Sequence, residues 1–338
     1  MSVRVGINGF GRIGRAFMRA AQGNPELEVV AVNDLGSVEN LAYLLKYDTV
    51  YKQAPFSVEA KEGALVVGGR EVKVLSQKDP LTLPWKSLTV DVVVESTGLF
   101  TDYQKANAHI AAGAKHVVIS APVKDDSPLG ATVLMGLNTG KASTCPVTSN
   151  ASCTTNSASP VIAILDEKLG IEKAILSTTH GYTASQALVD GPSKKDMKEG
   201  RAAAQNIVPT STGAAIAVTK AYPTLKGKFD GISLRVPVPA GSIADITFLA
   251  KRPTTAVEVN EILKEAAQSE RWRGIFAVTQ EELVSSDIIG NPHASIADLG
   301  MTRVVDGNLV KVLAWYDNEW GYTQTLLRHV IEVGKQLG

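Results

Sequence analysis

A glycine-rich turn near the start of the chain constrains its fold more than any other feature. Residues 9–14 read Gly-Phe-Gly-Arg-Ile-Gly, between the apolar stretch Val3–Asn8 and a segment whose apolar residues have helical spacing. In a strand–turn–helix unit of this kind, Gly9 makes the tight turn, Gly11 lets the backbone approach a pyrophosphate, and Gly14 lets helix and strand pack closely. The pyrophosphate binds at the helix N-terminus, where backbone N–H groups are available. The pattern predicts a dinucleotide-binding unit of the Rossmann type.

The next apolar strand ends on an acidic residue at the spacing that ribose recognition requires. Val29–Asn33 is apolar, and Asp34 follows it about twenty residues after Gly14. A carboxylate at this point accepts hydrogen bonds from the adenosine ribose hydroxyls and repels the extra phosphate of NADP. Because residues 35–37 read Leu-Gly-Ser and offer no arginine for that phosphate, we expect the cofactor to be NAD.

Strands and helices continue to alternate through the first half of the chain. Gly68-Gly69 indicates a hairpin turn, and apolar strands over 90–95 and 116–120 flank a helix-like segment over 103–112. Alternation of this type predicts a doubly wound parallel sheet, in which ligands bind at the carboxyl ends of the strands. Three residues at such ends are expected to contact the cofactor: Thr97, Gly98 and Ser120.

A cysteine within the stretch Ser149–Asn156 is the strongest candidate for a nucleophile. It lies among small hydroxyl residues, just ahead of a helix-like apolar pattern that starts at Pro160. A thiol at a helix start faces free backbone N–H groups and the positive end of the helix dipole, which favour its anionic form. The alternative is a buried cysteine that acts as a small apolar side chain. The polar neighbours favour the first interpretation, so we predict that Cys153 is a nucleophile with a lowered pKa.

A histidine in the second half ends a strand and begins a polar loop. The strand over 174–179 leads into His180, and catalytic groups concentrate on loops held by a rigid sheet. A neutral imidazole has a suitable pKa to act as a base near neutral pH. The other residues of this kind are expected to be structural or exposed, with no chemical role: Trp85, His109, His116, Cys145, His293 and His329.

The rest of the second half predicts an α+β domain. Long strands over 232–236 and 243–248, a strand over 309–315 and a helix over 257–267 indicate a mixed or antiparallel sheet with helices on one side. A last helix is predicted over 323–335. The fold class is therefore α/β, a Rossmann-type doubly wound parallel sheet joined to a second α+β catalytic domain.

Charge and composition argue against several classes of partner. The chain has 338 residues with 34 Lys and Arg against 34 Asp and Glu, so its net charge is zero, which speaks against a nucleic-acid surface. No apolar run approaches the roughly 18 residues of a spanning helix, and a strand-like segment stands where a signal peptide would begin. Two cysteines fit a reducing compartment. We expect a cytoplasmic protein with no metal site and no nucleic-acid or membrane partner.

A nucleotide-binding half followed by a half with a nucleophilic cysteine suggests thiol-dependent aldehyde oxidation. The whole chain resembles phosphorylating glyceraldehyde-3-phosphate dehydrogenase. The resemblance rests on three motifs: Gly-Ile-Asn-Gly-Phe-Gly-Arg-Ile-Gly-Arg at 6–15, Ser-Asn-Ala-Ser-Cys-Thr-Thr-Asn at 149–156 and Trp-Tyr-Asp-Asn-Glu-Trp-Gly-Tyr at 315–322. It implies that NAD-dependent oxidation and phosphorylation convert D-glyceraldehyde 3-phosphate into 1,3-bisphosphoglycerate through a cysteine hemithioacetal and thioester. It also implies a homotetramer.

The resemblance implies a role for each matching residue, with Cys153 as the nucleophile and His180 as the base. In the cofactor site, the pyrophosphate contacts Arg12 and Ile13, while the nicotinamide contacts Asn318 and Tyr322. Four residues match the site of the attacking inorganic phosphate: Ser152, Thr154, Thr212 and Gly213. Two residues match the site of the substrate's own phosphate: Thr183 and Arg235. Leu35 and Pro192 match the NAD-selective pattern. The implied domains are residues 1–152 with the returning helix 320–338, and residues 153–319.

Two departures from the family pattern lie near the implied anion sites. Ser185 stands where many members have an aspartate, and Lys198-Glu199 stands where an arginine pair is common. Erythrose-4-phosphate dehydrogenase remains an alternative, although Thr-Gly-Ala-Ala at 212–215 and Tyr182-Thr183 favour the triose phosphate. Semialdehyde dehydrogenases would not explain the stretch 315–322. A non-catalytic nucleotide- or RNA-binding protein would need no Cys153/His180 pair.

Overall fold

The chain divides into two compact units. The computed structural model describes residues 2–193 and 196–337, so Lys194 and Lys195 of the charged stretch 194–198 lie outside the described residues. The first unit comprises Met1–Ala151 with Thr323–Gly338, and the second comprises Ser152–Tyr322. Compared with the predicted domains, the first boundary lies one residue earlier and the second lies three residues later.

The first unit is built on a sheet of nine strands in the described part of the chain, with a separate two-stranded ribbon. Its strands are β1 (Val3–Asn8), β2 (Leu27–Asn33), β3 (Tyr47–Asp48), β4 (Lys52–Gln53), β5 (Val58–Lys61), β6 (Ala64–Val67), β7 (Arg70–Leu75), β8 (Val92–Glu95), β9 (His116–Ile119), β10 (Gly130–Thr132) and β11 (Val147–Ser149). Its helices before the second unit are α1 (Arg12–Ala21), α2 (Val38–Lys46), α3 (Tyr103–Ala106) and α4 (Ala108–Ala111).

The strand order confirms the predicted doubly wound sheet. The order is β10-β11-β9-β8-β1-β2-β7-β6-β5, parallel from β10 to β7, with β7, β6 and β5 forming an antiparallel meander. Because β1 lies between β8 and β2, the winding direction reverses there, and this is the point where such sheets bind ligands. Gly68 and Gly69 form the predicted hairpin turn with positive φ angles of 56° and 80°. The predicted helix over 103–112 is instead two short helices, interrupted at Asn107, a residue of low helix propensity.

The second unit contains a sheet of seven strands in its described residues. In chain order its elements are α5 (Cys153–Leu169), β12 (Ile171–Gly181), β13 (Val208–Ser211), α6 (Ala214–Ala221), β14 (Phe229–Val236), β15 (Ser242–Ala250), α7 (Ala256–Gln268), β16 (Phe276–Thr279), β17 (Ser295–Val305) and β18 (Leu309–Tyr316). The strand order is β13-β14-β12-β15-β18-β17-β16. The pairs β12/β14 and β16/β17 are parallel and the other pairs are antiparallel, which confirms the predicted mixed sheet.

The terminal helix α8 (Trp320–Leu337) begins three residues before the predicted helix, and its part from Thr323 onward belongs to the first unit. The side chain of Asn150, just after β11, donates to Thr325 Oγ1 at 3.2 Å and lies 3.2 Å from His329 Nδ1. A Cβ atom at Gly334 would lie 2.0 Å from Val3 Cγ2, so this glycine allows α8 to pack against β1. Asn150 and Gly334 thus fix the helix in the first unit.

Candidate active site

The helix that carries the candidate nucleophile starts at that residue. Helix α5 begins at Cys153, seven residues before Pro160, where the apolar pattern in the sequence starts. The Ser152 side chain caps the helix by accepting a hydrogen bond from the Thr155 backbone N–H at 3.1 Å. The first two turns are polar yet buried, which is why the sequence pattern did not indicate helix there. The thiol therefore lies at a helix N-terminus, as predicted.

Three predicted residues come together around this thiol in the second unit. Cys153 Sγ lies 3.2 Å from Nε2 of His180, near the end of β12. The parallel register of β12 and β14 pairs His180 with Arg235, and Nη1 of this arginine lies 2.6 Å from His180 Nδ1. The Gly181 carbonyl oxygen is also 2.6 Å from Nδ1. His180 is almost fully buried and Cys153 is half-buried, so the pair is shielded from bulk water while the thiol keeps access.

The two partners of this pair have pKa values shifted in opposite directions. Burial, and secondarily the Arg235 guanidinium, lower the pKa of His180 to about 3. Burial raises the pKa of the Cys153 thiol, while Arg235 and hydrogen bonds from Thr154 oppose that rise. The expectation of a lowered thiol pKa is therefore wrong for the chain alone, because desolvation outweighs the helix start and the guanidinium. A neutral thiol beside a neutral imidazole suits a base that takes the proton during attack.

This arrangement predicts how fast Cys153 reacts with iodoacetamide in the NAD-free protein. Because only the thiolate reacts and its pKa is raised, the rate should climb continuously between about pH 7 and about pH 9. Arg235→Ala should slow alkylation at each pH, since loss of the guanidinium raises the thiol pKa further, whereas Arg235→Lys keeps a positive charge and serves as the control. Mass spectrometry of the labelled peptides separates Cys153 from Cys145. A rate that is already maximal near pH 6 would contradict the raised pKa.

Tyr316 supports the Cys153/His180 pair, although no role for this tyrosine is predicted from the sequence. Its hydroxyl lies 2.9 Å from Thr154 Oγ1 and 2.7 Å from Thr178 Oγ1, and its ring meets the His180 ring edge-on with centroids 5.9 Å apart. Thr154 is buried and its hydroxyl contacts Tyr316 in this structure, so its implied role in phosphate binding stays a prediction. The sequence feature that could have indicated a role for Tyr316 is its position within the motif 315–322.

The other residues implied in anion binding lie at helix starts or in a loop. Ser152 Oγ is 2.7 Å from Thr155 Oγ1, and Thr212 Oγ1 accepts from the Ala214 N–H at 3.2 Å, where α6 begins. Gly213 caps α6 and has no side chain to occupy the helix terminus. Thr183 Oγ1 lies 3.0 Å from Ser185 Oγ in the loop after β12. Among the described residues, each of these hydrogen bonds joins a hydroxyl to a residue of its own segment. None of them links Ser152, Thr183 and Thr212 to one another.

Four of the predicted cofactor residues line a cavity in the first unit. The cavity has a volume of about 470 Å³ and lies at the carboxyl ends of β1, β2 and β8. Its lining includes Gly9, Gly11, Asp34 and Thr97, together with Asn8, Asn33, Leu35, Gln77, Lys78, Ser96, Leu99 and Phe100. Four of the residues proposed from sequence therefore share one pocket at the reversal point of the sheet.

The glycines of this turn fit a bound dinucleotide. A Cβ atom at Gly9 would lie 2.6 Å from the Thr97 nitrogen, and one at Gly14 would lie 2.2 Å from the Gly9 oxygen, so both positions require the close packing that glycine allows. A Cβ atom at Gly11 would meet nothing within 4 Å, which leaves space at the start of α1 for a pyrophosphate. Asp34 accepts from the backbone N–H groups of Phe10 at 2.8 Å and Gly36 at 2.9 Å, which fixes its carboxylate at the cavity wall.

The remaining implied cofactor residues lie outside the lining of this cavity. Arg12 forms an ion pair with Asp48, and Ile13 follows it in the first turn of α1. Gly98 has a φ of 72°, and the Ser120 N–H donates to the Glu95 carbonyl at 2.9 Å. Two belong to the second unit: Asn318, which accepts from Ser242 Oγ at 2.9 Å, and the buried Tyr322.

Within residues 2–193 and 196–337, no cluster of three or more His, Cys, Asp or Glu side chains could hold a metal ion. No helix in the same residues combines the length and apolar character needed to cross a membrane.

Comparison with known proteins covers both units. Residues 3–103 match the family model described as glyceraldehyde 3-phosphate dehydrogenase, NAD binding domain, and residues 152–318 match the one described as glyceraldehyde 3-phosphate dehydrogenase, C-terminal domain. A glyceraldehyde-3-phosphate dehydrogenase of Streptomyces coelicolor is 48% identical over 340 residues, and one of Mycobacterium avium is 49% identical over 345 residues, each over 100% of both chains. Glyceraldehyde-3-phosphate dehydrogenase 1 of Trichormus variabilis is 46% identical over 327 residues, covering 96% of this chain and 95% of the relative.

Proposed function

The chain belongs to the glyceraldehyde-3-phosphate dehydrogenase family, and on that premise we propose that it converts D-glyceraldehyde 3-phosphate and inorganic phosphate into 1,3-bisphosphoglycerate. It is an NAD-dependent oxidoreductase. The observation that carries the proposal is the 3.2 Å approach of Cys153 Sγ to His180 Nε2, since aldehyde oxidation through a thioester needs a nucleophile and a base in contact. The Gly9–Gly11 turn and Asp34 would hold NAD, which supplies the acceptor for the two electrons when bound.

In the first step the sulfur of Cys153 attacks the aldehyde carbon. The S–H bond breaks as the C–S bond forms, and His180 Nε2 takes the proton at the distance already present. The charged imidazolium is disfavoured by burial and by the nearby guanidinium of Arg235. The proton therefore passes readily to the new alkoxide oxygen, which completes the hemithioacetal, and His180 is again a base for the same proton when that carbon is oxidised to the thioester.

In the last step inorganic phosphate attacks the thioester and the C–S bond breaks. The acyl group leaves as an acyl phosphate and Cys153 returns to its thiol form. The groups proposed to hold the attacking phosphate are the hydroxyls of Ser152, Thr154 and Thr212 and the Gly213 N–H. Thr183 and Arg235 are proposed for the substrate's own phosphate. Backbone N–H groups at the starts of α5 and α6 support this assignment, because helix N-termini favour anions.

The assay that tests the proposal compares aldehydes. Initial rates of NADH formation should be much higher with D-glyceraldehyde 3-phosphate than with erythrose 4-phosphate, in the presence of inorganic phosphate. A higher kcat/KM for erythrose 4-phosphate would assign the chain to the alternative activity. Absence of NAD reduction with either aldehyde would leave only nucleotide binding.

We also propose that the chain acts as a homotetramer in the cytoplasm. Two free thiols support a reducing compartment, which cell fractionation can test. The sheet of the second unit supports self-association, because its register places three exposed apolar side chains on one face: Ile175, Ile232 and Leu309, with exposures of 58%, 51% and 38%. Exposed apolar patches of this kind mark interaction surfaces.

This surface gives a second prediction. Light scattering should report a mass of four chains for the unmodified protein. Ile232→Arg should reduce that mass because a charge is costly to bury in an apolar interface. Val257→Arg, at another exposed apolar position outside this sheet, is the matched control and should leave the mass unchanged. A single-chain mass for the unmodified protein would contradict the tetramer.

A further inference from the structure

A buried polar cluster lies beside the cofactor cavity and takes no part in the chemistry proposed above. Glu95 at the end of β8 and His109 in α4 are 2% and 0% exposed, and Trp85 is fully buried with them. Buried carboxylates are costly unless every oxygen is hydrogen-bonded, so the partners of Glu95 indicate what the cluster does.

The Glu95 carboxylate divides its hydrogen bonds between the cavity and the core. Oε1 accepts from the Thr97 backbone N–H at 2.8 Å and from the Thr97 hydroxyl at 2.5 Å. Oε2 accepts from Asn8 Nδ2 at 2.6 Å and lies 3.0 Å from His109 Nε2. One oxygen therefore holds the turn that lines the cavity, and the other is held by the interior of the unit.

The direction of each core hydrogen bond follows from groups that can only donate. The Trp85 indole N–H lies 3.0 Å from His109 Nδ1, so Nδ1 is the acceptor and the imidazole carries its proton on Nε2, facing Glu95. On the other side the Gln77 backbone N–H donates to Asn33 Oδ1 at 2.8 Å, and Asn33 Nδ2 donates to Asn8 Oδ1 at 2.7 Å. This leaves Asn8 Nδ2 to donate to Glu95. Two chains of donors thus end on the same carboxylate oxygen.

We infer that Glu95 and His109 are positioning residues for NAD binding, which fix the turn Ser96–Thr97 against the glycine turn through this network. Ser96 Oγ donates to the Gly9 carbonyl oxygen at 2.7 Å, so the turn held by Glu95 also holds the residue that starts the dinucleotide motif. Thr97, Asn8, Asn33 and Gln77, all members of the network or held by it, line the cavity. The inference rests on the proposed NAD-dependent function and assigns the first unit a set of residues that act without touching the reacting atoms.

Two substitutions at one position separate this role from general stability. In His109→Asn the new amide oxygen can take the place of Nδ1 and accept from Trp85, but the donor to Glu95 is lost. In His109→Gln the new amide nitrogen can take the place of Nε2 and donate to Glu95, but the Trp85 partner is lost. Each variant removes one buried hydrogen bond and the ring, so both should lose a similar amount of thermal stability.

NAD affinity should respond to only one of these losses. We expect His109→Asn to raise the NAD dissociation constant about tenfold by titration calorimetry, the effect of one unpaired buried group, and His109→Gln to stay within about threefold of the unmodified protein. The KM for NAD should rise in His109→Asn while kcat at saturating NAD and the KM for the aldehyde stay unchanged. The inference would be overturned if both variants weakened NAD binding equally, or if the NAD affinity of the variants changed in parallel with their melting temperatures.

A second pair of variants covers the case in which His109→Asn does not fold. Thr97→Val removes the hydroxyl that donates to Glu95 Oε1, and Thr97→Ser keeps it on a smaller side chain. The valine variant should weaken NAD binding several-fold and the serine variant should not; equal affinities would contradict the role of Glu95. If the unmodified protein itself fails to bind NAD, the proposed function fails, whereas normal binding with no difference between variants removes the inference alone.

Discussion

Replacing Cys153 by serine is expected to abolish NAD reduction while leaving NAD binding unchanged. His180 Nε2 can take a proton from a thiol at 3.2 Å, but a serine hydroxyl is a far weaker acid and its ester cannot replace the thioester as an acyl donor to phosphate. Loss of a nucleophile that acts together with its base costs roughly 10⁴- to 10⁶-fold in kcat. Initial rates of NADH formation measure the loss, and calorimetric titration with NAD provides the control.

The partner substitution His180→Asn should slow turnover by roughly 10² to 10⁴, the usual contribution of a general base. The loss of turnover rate in His180→Asn should become smaller as the pH rises, because the Cys153 thiol then ionises without a base. The raised pKa of this thiol places its ionisation in alkaline solution. The double variant should be no slower than Cys153→Ser, since two groups that act in one step are not additive. Cys145→Ser is the matched control and should retain full activity; full activity in Cys153→Ser would assign the chemistry elsewhere.

The first unit could be predicted in detail because its function depends on local patterns. The glycine spacing, the strand over 29–33 and Asp34 are all within one βαβ unit, and the cavity forms where that unit predicts it. The helix start at Cys153 was harder to place, because Thr154, Thr155 and Ser157 look like a turn in the sequence. All three are buried, and a tertiary contact holds Thr154, whose hydroxyl lies 2.9 Å from the Tyr316 hydroxyl.

Contacts between distant strands and buried networks could not be predicted. Arg235 reaches His180 only because β12 and β14 are parallel neighbours with these residues in register, and no local pattern specifies that register. His109 was interpreted as a residue without a role, because Glu95 and Trp85, which give it one, are distant in sequence. The direction in which the pKa of Cys153 shifts depends on the desolvation of the thiol, and desolvation cannot be derived from the sequence.

The second large effect concerns inorganic phosphate. Without phosphate or arsenate, we expect one NADH per active chain to form rapidly and turnover then to nearly stop, because the thioester persists until an acyl acceptor attacks it. Stopped-flow absorbance gives the burst amplitude, and added phosphate should restore continuous turnover. Water is present in both cases, so this dependence requires a phosphate placed next to the acyl carbon, a gain that positioned reactants provide over dilute ones.

Variants at the proposed anion positions should separate the NADH burst, in which the thioester forms, from the later step in which phosphate attacks the thioester. Arg235→Ala should reduce the burst rate, because the guanidinium lies 2.6 Å from His180 Nδ1 and also lowers the pKa of the Cys153 thiol. The same variant should raise the KM for phosphate. Thr212→Val should leave the burst unchanged and raise only the KM for phosphate, since its hydroxyl lies at the start of α6. Thr154→Val should disturb the burst, because its hydroxyl is buried against Tyr316 and supports the thiol. Sustained production of the free acid without phosphate would mean that water attacks the thioester, and the chain would then be a hydrolytic aldehyde dehydrogenase.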